Sequence, residues 1–162
     1  MKRLFFILLF FGVLLMCACG KEYGILDYQG KSITAECVVN GEYRVQIAKT
    51  ESLCTVTVKE PKAAQGISFE IGEGGVLAKA SGTEIQIPKE YLGGICALGA
   101  IFSQSEECLT SATQKGGGSV LTFRSQGCTY RITVGENSMP KQVSIFSESF
   151  EYDVEICTIE LN

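Results

Sequence analysis

From Ile33 onward, apolar and polar residues alternate with a period of two. Ile33, Ala35, Cys37 and Val39 alternate with Thr34 and Glu36, and Asn40-Gly41 follows. That dipeptide accepts positive φ at both positions and predicts a tight hairpin. The alternation continues through Tyr43, Val45 and Ile47, then Cys54, Val56 and Val58, then Ile67, Phe69 and Ile71. After the turn Gly72-Glu73-Gly74-Gly75 come Val76–Ala80 and then Thr83, Ile85 and Ile87. The pattern predicts about six half-buried strands in hairpin succession.

Pro88 stops the alternation. Residues 89–108 read as the single helix, with Leu92, Ile95, Cys96, Gly99, Phe102 and Ser103 on one face at helical spacing. Tyr91–Phe102 is apolar nearly all round, which predicts burial on most sides. Gly93, Gly94 and Gly99 each weaken a helix by roughly 1 kcal/mol relative to alanine. Their presence implies close approach to another surface, here the sheet. Thr110–Ser119 reads as a loop around Gly116-Gly117-Gly118. Strands then resume with Leu121 and Phe123, followed by Cys128, Tyr130, Ile132 and Val134, then Val143 and Ile145. The last strand points Phe150, Tyr152, Val154 and Ile156 inward and Glu151, Asp153 and Glu155 outward, and such charges discourage edge-to-edge pairing. Short connections make the sheet antiparallel, and a sheet of this width curls. The fold class expected is mainly β (α+β), a curved antiparallel half-barrel sheet of about ten strands with one central helix covering its inner face.

Ahead of the strands, Lys2-Arg3 precedes an apolar run from Leu4 to Met16. The run is shorter than the ~20 residues needed to span a bilayer, and its flanks are those of a secretory signal. Met16-Cys17-Ala18-Cys19-Gly20 resembles a bacterial lipobox. Small Ala18 precedes Cys19, whereas bulky Met16 precedes Cys17, so the resemblance implies cleavage before Cys19 and a diacylglycerol on its sulfur. A cleaved signal without lipid is the alternative. The organisation expected is a signal peptide over 1–18, a lipid-anchored tether over 19–30 and a single β domain over 31–162. About ten tether residues reach at most ~35 Å. The domain is therefore expected close to the cell membrane, on its extracytoplasmic face.

The chain carries 18 acidic and 14 basic residues, a net charge of −4 that falls by two more once Lys2 and Arg3 are removed. That balance argues against nucleic acid and anionic headgroups, which need basic patches. It leaves apolar ligands and protein partners open. The sequence has neither histidine nor tryptophan. Without histidine, the side chain that most often serves as general acid or base, and the commonest metal ligand, is missing. Cys37, Cys54, Cys96, Cys108, Cys128 and Cys157 follow the signal, and both free thiols and disulfides fit them. No Cys-x-x-Cys spacing supports a metal site. Gly72-x-Gly74-Gly75 leads into a strand rather than a helix, so it reads as a turn and not as a phosphate loop. No nucleophile constellation is visible. The expectation is a non-enzymatic protein with no cofactor and no metal.

Tyr130-Arg131-Ile132-Thr133-Val134, a polar turn, and Met139-Pro140-Lys141-Gln142-Val143-Ser144-Ile145 together form one further signal. The segment resembles a hairpin recurrent in the LolA-like half-barrel superfamily, where a proline precedes the second strand. That superfamily includes periplasmic lipoprotein carriers, mycobacterial lipid-binding lipoproteins and clostridial lipoproteins linked to sporulation and germination. The resemblance implies either a groove for acyl chains or a half-barrel reused to dock a protein, such as a cell-wall or spore-cortex enzyme. Periodicity does not distinguish a filled interior from a hollow one. In the hollow case the groove-lining candidates are Phe69, Ile85, Tyr91, Ile95, Phe102, Phe123, Tyr130, Phe150 and Tyr152, around a cavity of about several hundred Å³.

Overall fold

Asn40 and Gly41 take φ of +52° and +69°, so the chain doubles back where the dipeptide predicts. The strands on either side, β1 (Ile33–Val39) and β2 (Tyr43–Lys49), pair antiparallel from Ile33↔Lys49 to Val39↔Tyr43. The computed structural model describes residues 31–115, 118–135 and 139–162. The signal, lipobox and tether assigned to residues 1–30, with Cys19, lie outside the described residues.

The meander continues through β3 (Cys54–Glu60), β4 (Ser68–Gly72), β5 (Gly75–Ala80) and β6 (Thr83–Ile87). Past the crossing segment come β7 (Leu109–Lys115), β8 (Gly118–Ser125), β9 (Cys128–Val134), β10 (Pro140–Phe146) and β11 (Glu151–Leu161). They form one antiparallel sheet of 11 strands in the order β6-β5-β4-β3-β2-β1-β11-β10-β9-β8-β7. The first and last strands thus meet at the centre, and the two edges are β6 and β7. The chain between those edges must cross the concave side of the sheet, which is why a single apolar segment covers the inner face.

That crossing is not the continuous helix predicted over 89–108. Among the described residues it contains one short α-helix, α1 (Gly93–Gly99), flanked by 3-10 turns at Lys89–Tyr91, Ile101–Ser103 and Glu106–Cys108. Glycines at both ends of α1 weaken the helix, and the path over a curved surface favours short pieces. The glycines do bring the surfaces together. A Cβ built on Gly99 would lie 2.5 Å from Ile71 Cδ1, and one on Gly94 would lie 3.1 Å from the Tyr152 ring. The Cys54 thiol donates to the Gly99 carbonyl at 3.4 Å. Leu98, Ile101 and Phe102 enter the core, and the Nε2 of buried Gln104 donates to the Ala100 carbonyl at 2.8 Å.

Three further expectations change. The stretch read as a loop is largely β7, paired with β8 through Ala112↔Leu121 and Thr113↔Val120. Thr110–Gln114 are exposed throughout, so an edge strand open on both faces left no alternation to read. The acids of β11 are not edge protection, because β11 lies between β1 and β10. And β6 is not half buried: Ile85 is 57% exposed, since the crossing segment leaves this edge uncovered. The edge is instead tied by Lys79, which reaches Glu70 at 2.7 Å and Glu84 at 3.5 Å.

The core lies between α1 and the concave face. β1 buries alternate residues as its sequence predicts. Opposite Cys37 a bulge shifts the register from Glu36↔Thr158 to Cys37↔Ile156. The extra residue in β11 resets the phase, so that Ile159 pairs with buried Ala35. The six described cysteines are free thiols.

Candidate functional site

Among the described residues, three hollows surround α1. The largest, about 760 Å³, opens on the flank of the segment from Lys89 to Ala97. Its far wall is the β8–β9 turn, Gln126-Gly127, with Cys128 and Tyr130 beneath and Ser147–Phe150 closing the side. The turn holds its shape because Gln126 and Gly127 take φ of +51° and +75°. A smaller hollow of about 200 Å³, lined by Cys54, Ile71 and Gly99, shares Lys89, Cys96 and Gln126 with the first. The two form one cleft. A third, about 340 Å³, lies among Val39, Tyr43, Val45, Val56, Val58, Ile95, Leu98 and Tyr152. Phe150 and Tyr152 stack with ring centroids 5.1 Å apart, and this pair stands between the first and third hollows.

The structure distributes the nine groove candidates among different places. Tyr91, Tyr130 and Phe150 line the largest hollow, and Ile95 and Tyr152 line the third. Phe102 and Phe123 line none of the three hollows and are filled core, whereas Tyr130, equally buried, forms part of the floor of the largest. The 3-10 turn at Ile101–Ser103 drives Phe102 inward, and Phe123 faces Tyr130 across the β8–β9 pair. Phe69 is half buried on the concave side between Val56 and Ala78. Ile85 stands exposed on the edge strand beyond it. Gly93, Gly94, Cys96, Ala97 and the Gln126-Gly127 turn also line the largest hollow, although none of them was among the groove candidates. A Gly-Gly pair opening an apolar stretch was the available signal.

Charge is confined to the rim, where Lys89, Glu90 and Glu148 are exposed. Inside, burial holds Cys54, Cys96 and Tyr130 neutral. Burial pushes the Cys54 thiol up to about 11, against the pull of Lys49. Burial also raises Cys96, against the pull of Lys89. The Tyr130 phenol is raised by burial and then by Cys128 and Cys96. Protonated thiols and a phenol offer hydrogen bonds rather than nucleophiles. Among the described residues no group of three His, Cys, Asp or Glu could hold a metal ion, and Gly72–Gly75 is the β4–β5 turn. The largest hollow mixes apolar walls, Tyr91, Ala97 and Phe150, with polar ones, Gln126, Ser147 and Ser149. No helix of the described residues is long and apolar enough to cross a membrane.

No protein-family model and no curated protein matches the chain. Among solved structures, an uncharacterized conserved protein from Thermus thermophilus is similar over 86% of this chain and 83% of its own, with 14% identity and a TM-score of 0.54. A LolA superfamily protein from Nitrosomonas europaea covers 85% of this chain and 92% of its own, with 8% identity and a TM-score of 0.42. LprF from Mycobacterium bovis covers 85% and 90%, with 13% identity and a TM-score of 0.35. At these identities the likeness concerns fold, and it is the Thermus structure that carries it. The open antiparallel half-barrel with a helix in its concavity, expected from the sequence, is the architecture of this chain.

Proposed function

We propose that the chain is a non-catalytic cell-envelope lipoprotein that holds a lipid-like apolar ligand in the half-barrel groove beside α1. The diacylglycerol expected on Cys19 would keep it at the extracytoplasmic face of the membrane, within reach of its ligand. The observation that carries this reading is the hollow of about 760 Å³ between the helix and the curved sheet. A fully packed interior would have left no room for a ligand. The hollow lies in the range typical of small-molecule sites, roughly 300–1,000 Å³.

Native mass spectrometry of the full-length protein, extracted from its own membrane, tests the proposal. The expected result is a mass increment for a lipid on Cys19 and a second, dissociable increment for the carried ligand. Gly93→Leu places a side chain in the hollow beside Phe150 and should remove the second increment while keeping the first. A protein that carries nothing in either form would overturn the ligand reading.

A second reading is favoured by Ile85 and Tyr91, which are 57% and 77% exposed. Such a surface could dock a protein partner, as the resemblance also implies. Ile85→Lys separates the two, because a ligand carrier should retain its ligand, whereas a docking module should lose a specific partner.

A further inference from the structure

The Tyr130 side chain is wholly buried, and its hydroxyl has no hydrogen-bond partner. The Cys128 thiol lies beside it and raises the phenol further by charge and by a weak side-chain contact, which falls short of a well-formed hydrogen bond. An unsatisfied hydroxyl at such a position costs free energy, and buried polar groups in folded proteins are nearly always paired. Packing alone does not require it. The ring faces Phe123 on β8 and Ile145 on β10, and phenylalanine would fill the same space. Yet Tyr130 lines the large hollow beside Cys96 and Ala97.

We propose that the Tyr130 hydroxyl is the polar anchor of the site, donating a hydrogen bond to a neutral ester or amide carbonyl on an otherwise apolar ligand. The inference rests on the ligand-binding reading above and adds the ligand's chemical class. The rest of the hollow supports neutrality. Its rim carries one lysine against two glutamates, so a carboxylate or phosphate would meet net negative charge, and among the described residues the interior offers no countercharge. An acceptor without a hydrogen of its own matches a phenol that donates best and has only a weak thiol beside it.

The test uses the full-length protein and Tyr130→Phe, with an apolar fluorescent dye displaced by methyl palmitate or by hexadecane. Tyr130→Phe should weaken methyl palmitate about five- to tenfold, the worth of one neutral hydrogen bond, and leave hexadecane unchanged. Its ligand-free urea midpoint should equal or exceed that of the parent, which shows that the fold is intact. Equal affinity of parent and variant for the ester would overturn the anchor and leave the cavity standing, as would an equal loss for both probes. Failure of either probe to displace the dye from the parent would overturn the cavity reading and the anchor with it.

Discussion

Gly94 and Gly99 occupy the same short helix, and alanine at either would gain about 1 kcal/mol of helix propensity. Their surroundings decide the outcome. At Gly99 a new Cβ meets the Ile71 Cδ1 methyl, the free end of a flexible side chain, and lies 3.3 Å from the Cys54 sulfur. At Gly94 it meets the Tyr152 hydroxyl and ring, which is rigid and stacked on Phe150. Gly99→Ala is therefore expected to be near neutral. Gly94→Ala should destabilise by roughly 1–2 kcal/mol, an overpacking cost larger than the propensity gain. Urea unfolding of the two variants checks the difference. The buried thiols give a second residue-scale expectation. Burial, followed by Cys157 and Glu36, pushes Cys37 from 9.0 up to about 12. A thiol kept neutral by the fold contributes stability that is fully present below its unfolded value near 9 and lost as the pH rises toward 12, because the unfolded chain releases the proton first. The urea midpoint should fall between pH 9 and 12, and less steeply in Cys37→Ala than in the parent.

The crossing element is anchored by a few side chains rather than by its helix. Ile101 is fully buried, whereas Tyr91 is 77% exposed. Ile101→Ala should cost about 2–5 kcal/mol, as large-to-small core changes do, and Tyr91→Ala no more than about 0.5 kcal/mol. Chemical denaturation of the two variants would show the contrast, and equal losses would mean that the element is held along its whole length. The same element marks the limit of what its sequence discloses. Spacing showed an apolar segment that must be buried, and the three glycines showed that something comes close. Neither showed where the helix would break, because that depends on the curvature of a surface built by distant strands. The strands divide in the same way. Each strand with one buried face was legible, as in β1 and β9, where burial alternates with the sequence. β7 was not, because Thr110–Gln114 are exposed on both faces and carry no period. For the site, the aromatics other than exposed Tyr91 could be read as inward-facing. Whether Phe123 would be core and Phe150 cavity wall depended on how near α1 approaches each, a tertiary distance with no local signature.

At the scale of the whole molecule, the first and last strands close the sheet at its middle. β1 pairs with β11 along its length, and the Asn162 amide donates to the Ser32 carbonyl at 2.9 Å. β1, which buries four side chains, is thereby held to β11, which buries only Val154, in a seam between the first and last strands. The hairpins on either side fan outward to edges that pair on one side only. Opening free energy follows burial and pairing, so local fluctuations should concentrate where both are lowest. Hydrogen exchange should then order the amides by position in the sheet rather than in the sequence. Paired amides of the inner strands should exchange slower than those of β6 and β7, with β1, buried at four positions and paired on both sides, among the slowest. The two edges differ in kind: β6 is braced by Lys79 bridging Glu70 and Glu84, whereas β7 presents uncharged Thr110–Gln114. Surface ion pairs contribute little and are screened by salt. Added salt should thus speed exchange in β6 modestly and leave β7 unchanged. Protection that instead ran from one terminus to the other would mean that the β1–β11 seam is not the stable centre of the fold. The half-barrel would then be two hairpin stacks that open independently about the cleft beside α1.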